Sequence, residues 1–172
     1  MLRKLTPALL ALALWAAWTP TPGRPEDRRL AVVATFSVLG DWVRNVGGDR
    51  VALRVLVGPD GDAHNFEPTP RDAVALARAA LVFEIGLGYE TWLDGLYRAS
   101  RSRARRVAVT RGLALLYAGG RRPGRKEADP HVWHDASRAI RAVRNVRDAL
   151  ASADPAGAAV FEANADRYVA EL

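Results

Sequence analysis

VALRVLVGPDGDAHNFEPTPRDAVALARA, residues 51–79, is the stretch whose reading decides the fold. Val51 to Val57 is apolar and rich in β-branched side chains, the pattern of a strand. Gly58-Pro59 ends it, and a loop punctuated by glycine and proline follows. That loop carries a single histidine, His64. Thr69 then offers an N-cap with Pro70 at the first helical position, which predicts a helix from Pro70 to about Ala80. Strand, loop and helix in this order form one β-α unit.

The same unit recurs on both sides. Leu30 to Phe36 (LAVVATF) reads as a strand, followed by a helix over Val38 to Val46 with Ser37 as its cap and Gly47-Gly48 as its stop. Val38, Leu39, Trp42, Val43 and Val46 share one face of that helix. Leu81 to Ile85 is a third strand, closed by Gly86-Leu87-Gly88. Glu90 to Ala99 reads as helix, and Arg106 to Val109 as a fourth strand. An apolar patch, Leu113 to Tyr117, and a basic loop, Arg121 to Lys126, come next. Asp135 can cap a helix reaching about Ala151, with Ile140, Val143, Val146 and Leu150 inward and Arg138, Arg141, Arg144 and Arg147 outward. Asp154-Pro155 opens a last helix running to Leu172. Strands alternating with helices predict an α/β fold: a single lobe with a mostly parallel four-stranded sheet flanked by helices. Ligands of such sheets bind beyond the carboxyl ends of the strands, where the His64 loop falls.

Composition narrows the chemistry. The chain has 172 residues, about half of them apolar, enough for one domain with its own core. It contains no cysteine, so disulfides, thiolate metal sites and cysteine catalysis are excluded, as is a cysteine acceptor for lipid attachment. Residues 1–29 read as a secretory signal peptide and short linker. Arg3 and Lys4 precede the apolar run Leu5 to Trp18, and Thr19-Pro20-Thr21-Pro22-Gly23 breaks it. The run is shorter than the roughly 20 residues a membrane span needs. A periplasmic protein with no stable membrane span after signal removal is expected. The net charge is +6. The cluster Arg121, Arg122, Arg125 and Lys126 raises nucleic-acid or anionic-surface binding as an alternative. No aromatic residues interleave with it to stack bases, so a solvated loop is the plainer reading.

There are three histidines. His64 lies in the first loop; His131 and His134 lie in a second, Asp129-Pro130-His131-Val132-Trp133-His134-Asp135. Imidazole is a common ligand of first-row metals. Taken alone, each could equally be a surface histidine. Asp62, Glu67, Asp129 and Asp135 are the carboxylates near enough in sequence to assist. A metal-dependent hydrolase using His131 and His134 with Glu67 as base is a second alternative, although no HExxH-type helix supplies its frame.

Taken together, these segments resemble the N-terminal lobe of the zinc/manganese solute-binding proteins of bacterial ABC uptake transporters. The resemblance is carried by Val32 to Asp41, by Val57 to His64 with Glu67-Pro68-Thr69-Pro70, by Leu81-Val82-Phe83 with Gly86 to Leu93, and by Asp129 to Trp133. It covers roughly residues 30 to 172. It implies a bilobed binding protein with no catalytic activity. Such a protein captures Zn²⁺ or Mn²⁺ in the periplasm and delivers it to a membrane permease, with no nucleic acid as partner and no organic cofactor. By motif match His64 and His131 are the metal ligands of this lobe; His134 and Glu67 are not carried over as ligands. The resemblance divides the chain into residues 1–29, a metal-binding lobe over 30–152, and the start of an interlobe linking helix over 153–172. The second lobe, with a third ligand that is His or Glu and a fourth that is Asp, is absent. The expectation is therefore a truncated form that holds metal weakly. Val160, Phe161, Tyr168 and Val169 would then face a missing partner and leave apolar surface exposed.

Overall fold

A computed structural model of the protein describes residues 29–119 and 126–172. Residues 1–28, which fall in the segment expected to be a signal, and most of the basic loop, including Arg121, Arg122 and Arg125, lie outside the described residues. In chain order the elements are β1 (Leu30–Phe36), α1 (Ser37–Gly47), β2 (Val51–Val57), α2 (Pro70–Arg78), β3 (Leu81–Glu84), α3 (Leu93–Ala99), β4 (Arg105–Ala108), β5 (Tyr117–Gly119), β6 (Lys126–Ala128), α4 (Ala136–Ala153) and α5 (Ala158–Val169).

β1 to β4 form one sheet in the order β2-β1-β3-β4, and every pairing in it is parallel. Leu30 pairs with Val51 and Phe36 with Val57. Val32 pairs with Leu81, and Leu81 with Arg105. β3 lies inside the sheet and is buried at all four positions. That is why its sequence is a continuous apolar run rather than an alternation. The anticipated α/β lobe is the fold observed.

Local sequence explains most element ends. The Asp72 carboxylate accepts the Thr69 N–H at 2.9 Å and the Thr69 hydroxyl at 2.8 Å, fixing the start of α2. Asp135 accepts the Arg138 N–H at 3.1 Å and so caps α4 as anticipated. Gly48 ends α1 at φ 52°, in the left-handed region that favours glycine.

Three expectations need correction, and one pair of strands was not expected. Ser37 is the first residue of α1, not its cap; Phe36 occupies the cap position in extended conformation and has no side chain to serve there. Glu90 precedes α3, which starts at Leu93, because its carboxylate is bound elsewhere. On α4 the inward face is built on Ala139, Ala142, Val143, Val146, Ala149 and Leu150, and Ile140 is only half-buried. The alanines, neutral in the apolar pattern, let the helix approach closely. β5 and β6 form a short antiparallel hairpin around the basic loop, too brief to announce itself by periodicity.

The terminal helix is also packed differently from the expectation. A turn at Pro155–Gly157 folds α5 back across α1 and α4. Phe161 is fully buried and Ala165 nearly so, while Val160 is 45% exposed. Tyr168 and Val169 pack, half-buried, against the core. Asn164 donates to the Val46 carbonyl at 3.0 Å, the Tyr168 hydroxyl to Asp41 at 2.6 Å, and Arg50 to Asp154 at 2.8 Å. The lobe therefore supplies its own cover for this helix. Phe161→Ala should lower stability by about 3–5 kcal/mol, the usual loss for a buried phenylalanine. Urea unfolding of the two proteins checks this; a loss below about 1 kcal/mol would mean that α5 does not belong to the folded unit.

Candidate metal centre

The parallel sheet puts the loop after β2 at its carboxyl edge, and the segment before α4 comes to the same place. The first loop is built by Asp62. Its carboxylate accepts the His64 N–H at 2.8 Å and the Asn65 side-chain amide at 2.6 Å. The Asn65 amide first, then the His64 N–H, hold the Asp62 carboxyl below its usual range. Trp92 donates from Nε1 to the Ala63 carbonyl at 2.8 Å and clamps the loop to the start of α3. The Phe66 ring packs edge-on against Trp92.

The second loop is built by Asp129 in the same way. Its carboxylate accepts the His131 N–H at 3.0 Å. The same oxygen lies 2.7 Å from His131 Nδ1. The His131 backbone N–H first, then the ring, hold the Asp129 carboxyl below its usual range. This contact requires a proton on Nδ1, so in the neutral ring Nε2 carries the lone pair. A carboxylate behind the imidazole is the common arrangement for a metal-ligating histidine. Asp62 and Asp129 thus shape the loops rather than lead them.

The two loops converge. The ring centroids of His64 and His131 are 5.5 Å apart. Two imidazoles sharing one tetrahedral metal at 2.0–2.1 Å would have centroids about 5 Å apart. His134, at the end of the short turn Val132–His134, stacks 6.3 Å from His131. Asp135 is engaged as the α4 cap, and Glu67 is exposed. Among the described residues no group of three or more His, Asp or Glu is gathered for one ion. The arrangement can offer a metal two nitrogen ligands, which is half a tetrahedral site.

Sequence reasoning missed the support beneath the two rings. Tyr89 is buried between them, with its ring 4.4 Å from His64 and 5.9 Å from His131. Phe36 and Trp133 complete this floor, at 5.3 Å each from Tyr89. Tyr89 leaves the turn Gly86-Leu87-Gly88, in which all three φ values are positive: 73°, 57° and 80°. Glu90 holds that turn. Its carboxylate accepts the Thr35 hydroxyl at 2.8 Å, the Ile85 N–H at 2.8 Å and the Gly86 N–H at 3.0 Å. Burial pushes the Glu90 carboxyl above its ordinary value, against the pull of these three donors. Two glycines flanking one residue signalled the turn in the sequence, but nothing there marked Glu90 as its acceptor.

Comparison with known proteins agrees with this geometry. Residues 32–172 match the family described as zinc-uptake complex component A, periplasmic (ZnuA), and the chain belongs to that family. It is 32% identical over 178 residues to the metal ABC transporter substrate-binding lipoprotein ScbA of Streptococcus cristatus, covering 99% of this chain and 57% of the relative. The Mn-bound periplasmic metal binding protein from Candidatus Liberibacter asiaticus superposes with TM-score 0.76 at 28% identity, over 83% of this chain and 53% of that one. Zn(II)-bound AdcA from Streptococcus pneumoniae gives TM-score 0.71 at 28% identity, over 83% of this chain and 30% of that one. The chain spans about half the length of the curated relatives it matches. The curated relatives are named as metal or manganese ABC transporter substrate-binding lipoproteins, and the structural neighbours as a periplasmic metal binding protein and Zn(II)-bound AdcA.

Glu90→Ala should cost about 1–3 kcal/mol for each buried donor left without an acceptor. A carboxyl raised by folding withdraws stability from the wild type as pH rises from its unfolded value of 4.5 through the higher folded one. The wild type's advantage over Glu90→Ala should therefore be largest below pH 4.5 and shrink above it. Urea titrations of both proteins across that range check the sign; an advantage that grows with pH would reverse it.

Proposed function

We propose that this chain is the metal-capturing lobe of an ABC importer's solute-binding protein, taking up Zn²⁺ or Mn²⁺ in the periplasm for delivery to a membrane permease. The observation that carries the reading is the 5.5 Å approach of His64 and His131 from two separate loops. His64 and His131 are the ligands of this lobe. Asp129 positions His131 by accepting its Nδ1–H. Tyr89 sets the spacing of the two rings.

A four-coordinate site needs two more ligands. A second lobe supplies them, and residues 153–172 begin the connection to it. The nitrogen-only pair supplied here suits zinc; manganese would draw more oxygen from the other side. Relatives include a manganese ABC transporter substrate-binding lipoprotein of Streptococcus gordonii and Zn(II)-bound AdcA from Streptococcus pneumoniae, so both ions stay within the proposal. Residues 1–29 serve as the export signal. The hydrolase alternative gains nothing from the site, since Glu67 does not join the histidines and His134 stacks beside His131 rather than closing on His64.

Calorimetric titration of the 172-residue chain with Zn²⁺ and Mn²⁺ tests the proposal. Binding should be weak and one-to-one. His64→Ala or His131→Ala should remove most of it, and His134→Ala should change it little. Asp129→Asn should weaken it by about 10–100-fold, the usual effect of losing a carboxylate behind a ligating histidine. Acidification should weaken binding, because both imidazoles must be neutral to ligate. Undiminished binding in both His64→Ala and His131→Ala would overturn the assignment.

A further inference from the structure

The metal centre leaves one large feature of the chain unexplained. Residues 98–111 (RASRSRARRVAVTR) contain six arginines and no acidic residue. α4 adds Arg138, Arg141, Arg144 and Arg147, of which Arg141 and Arg144 are exposed.

The fold brings these two sequences onto one side. β4 is an edge strand, and α4 runs alongside it in the opposite direction, as the order of the hydrogen bonds between them shows. Arg105 donates to the Ala149 carbonyl at 2.8 Å. Asn145 donates to the carbonyls of Val109 and Arg111 at 2.7 and 2.9 Å. Arg138 donates to the Ala114 carbonyl at 2.9 Å. Two open grooves lie along this seam. One, of about 360 Å³, is lined by Arg105, Arg106, Arg111 and Asp148. The other, of about 370 Å³, is lined by Arg138 and Arg141. Arg106 is satisfied by Glu84 and Asp94, and Arg147 by Asp148. The guanidinium groups of Arg111, Arg141 and Arg144 have no hydrogen-bond or ion-pair partner among the described residues.

We propose that this β4–α4 side is a docking surface for anionic phospholipid headgroups, with Arg111, Arg141 and Arg144 as its principal contacts. Guanidinium groups match phosphate oxygens in geometry as well as charge. The surface also lacks what other partners need. Among the described residues the large exposed apolar side chains are Val74, Leu87, Leu116, Tyr117, Val160 and Leu172; none belongs to residues 98–111 or to α4, and only Leu116 lines a pocket with an α4 arginine, Arg138. A specific protein interface is centred on buried aromatic or aliphatic anchors. Single-stranded nucleic acid needs aromatic platforms for its bases. A plane of phosphates needs only spread positive charge. Docked on this side, the lobe would lie flank-down on an anionic bilayer. The inference does not rest on the metal reading.

The test is co-sedimentation of the chain with vesicles of phosphatidylcholine, alone or with about one third phosphatidylglycerol. The wild type should partition onto the anionic vesicles only, and the bound fraction should fall as salt rises from about 25 to about 300 mM. Arg141→Glu with Arg144→Glu should reduce partitioning at least about tenfold. Arg71→Glu with Arg78→Glu changes net charge equally but on exposed positions of α2, and should leave most of the partitioning intact. Circular dichroism checks that both variants fold, and Arg141→Gln with Arg144→Gln replaces the reversal if it does not. Metal titration of the Arg141 and Arg144 variants should match wild type, which separates failure here from failure of the site. Equal losses in the two reversal variants would overturn the proposal, as would wild-type binding to DNA or an acidic protein with none to the anionic vesicles.

Discussion

The Glu90 carboxylate is the constraint on which the site rests. It is buried, has no cationic partner among the described residues, and spends both oxygens on three donors. Those donors belong to the end of β1 and to the turn after β3. One side chain therefore ties two neighbouring strands together at the sheet's carboxyl edge. The turn it holds is the least probable piece of backbone in the lobe, with Leu87 in the left-handed region between two glycines. Such a conformation persists only where surrounding contacts over-determine it. Its result is Tyr89, placed between two loops that are far apart in sequence.

The loops repeat one device. Asp62 and Asp129 each accept the backbone N–H of the histidine two residues on, and each thereby shapes a tight loop around an imidazole. This division of labour explains why carboxylates that sit close to histidines in sequence do not join them. In the proposed role, His64 and His131 would contribute two nitrogens held in advance of any ion. Pre-organisation of this kind reduces the ordering that binding would otherwise require. A half-site on a rigid lobe is a sensible component for a cleft in which another lobe closes over the cargo. The family to which the chain belongs, and the half-length coverage of its relatives, are both consistent with that role.

Much of this was legible in the sequence, for physical reasons that can be named. Buried parallel strands write themselves as continuous apolar runs, so LAVVATF and the run from Leu81 were readable; VALRVLV, an edge strand interrupted by Arg54, was readable from its β-branched residues. Thr69-Pro70 and Asp135 marked helix starts by local chemistry. His64 and His131 stood out because histidine is rare here and both lie in punctuated loops. What escaped notice was long-range. Glu90 looked helical because its partners lie 4, 5 and 55 residues away. Phe161 was expected to await another lobe because a lone apolar face does not say which surface covers it; α1 and α4 do. Ala139 and Ala142 were passed over in favour of Ile140 because alanine carries little hydrophobic signal, although small size is what close helix packing requires.

X-ray absorption at the zinc edge of the metal-loaded chain addresses the shared-ion claim most directly. It reads the ligands around the ion rather than the strength of binding. The account predicts two imidazole nitrogens at about 2.0–2.1 Å, with oxygen neighbours completing the shell, and one imidazole fewer in His131→Ala. A spectrum with fewer than two rings in the wild type, or one unchanged by His131→Ala, would contradict it.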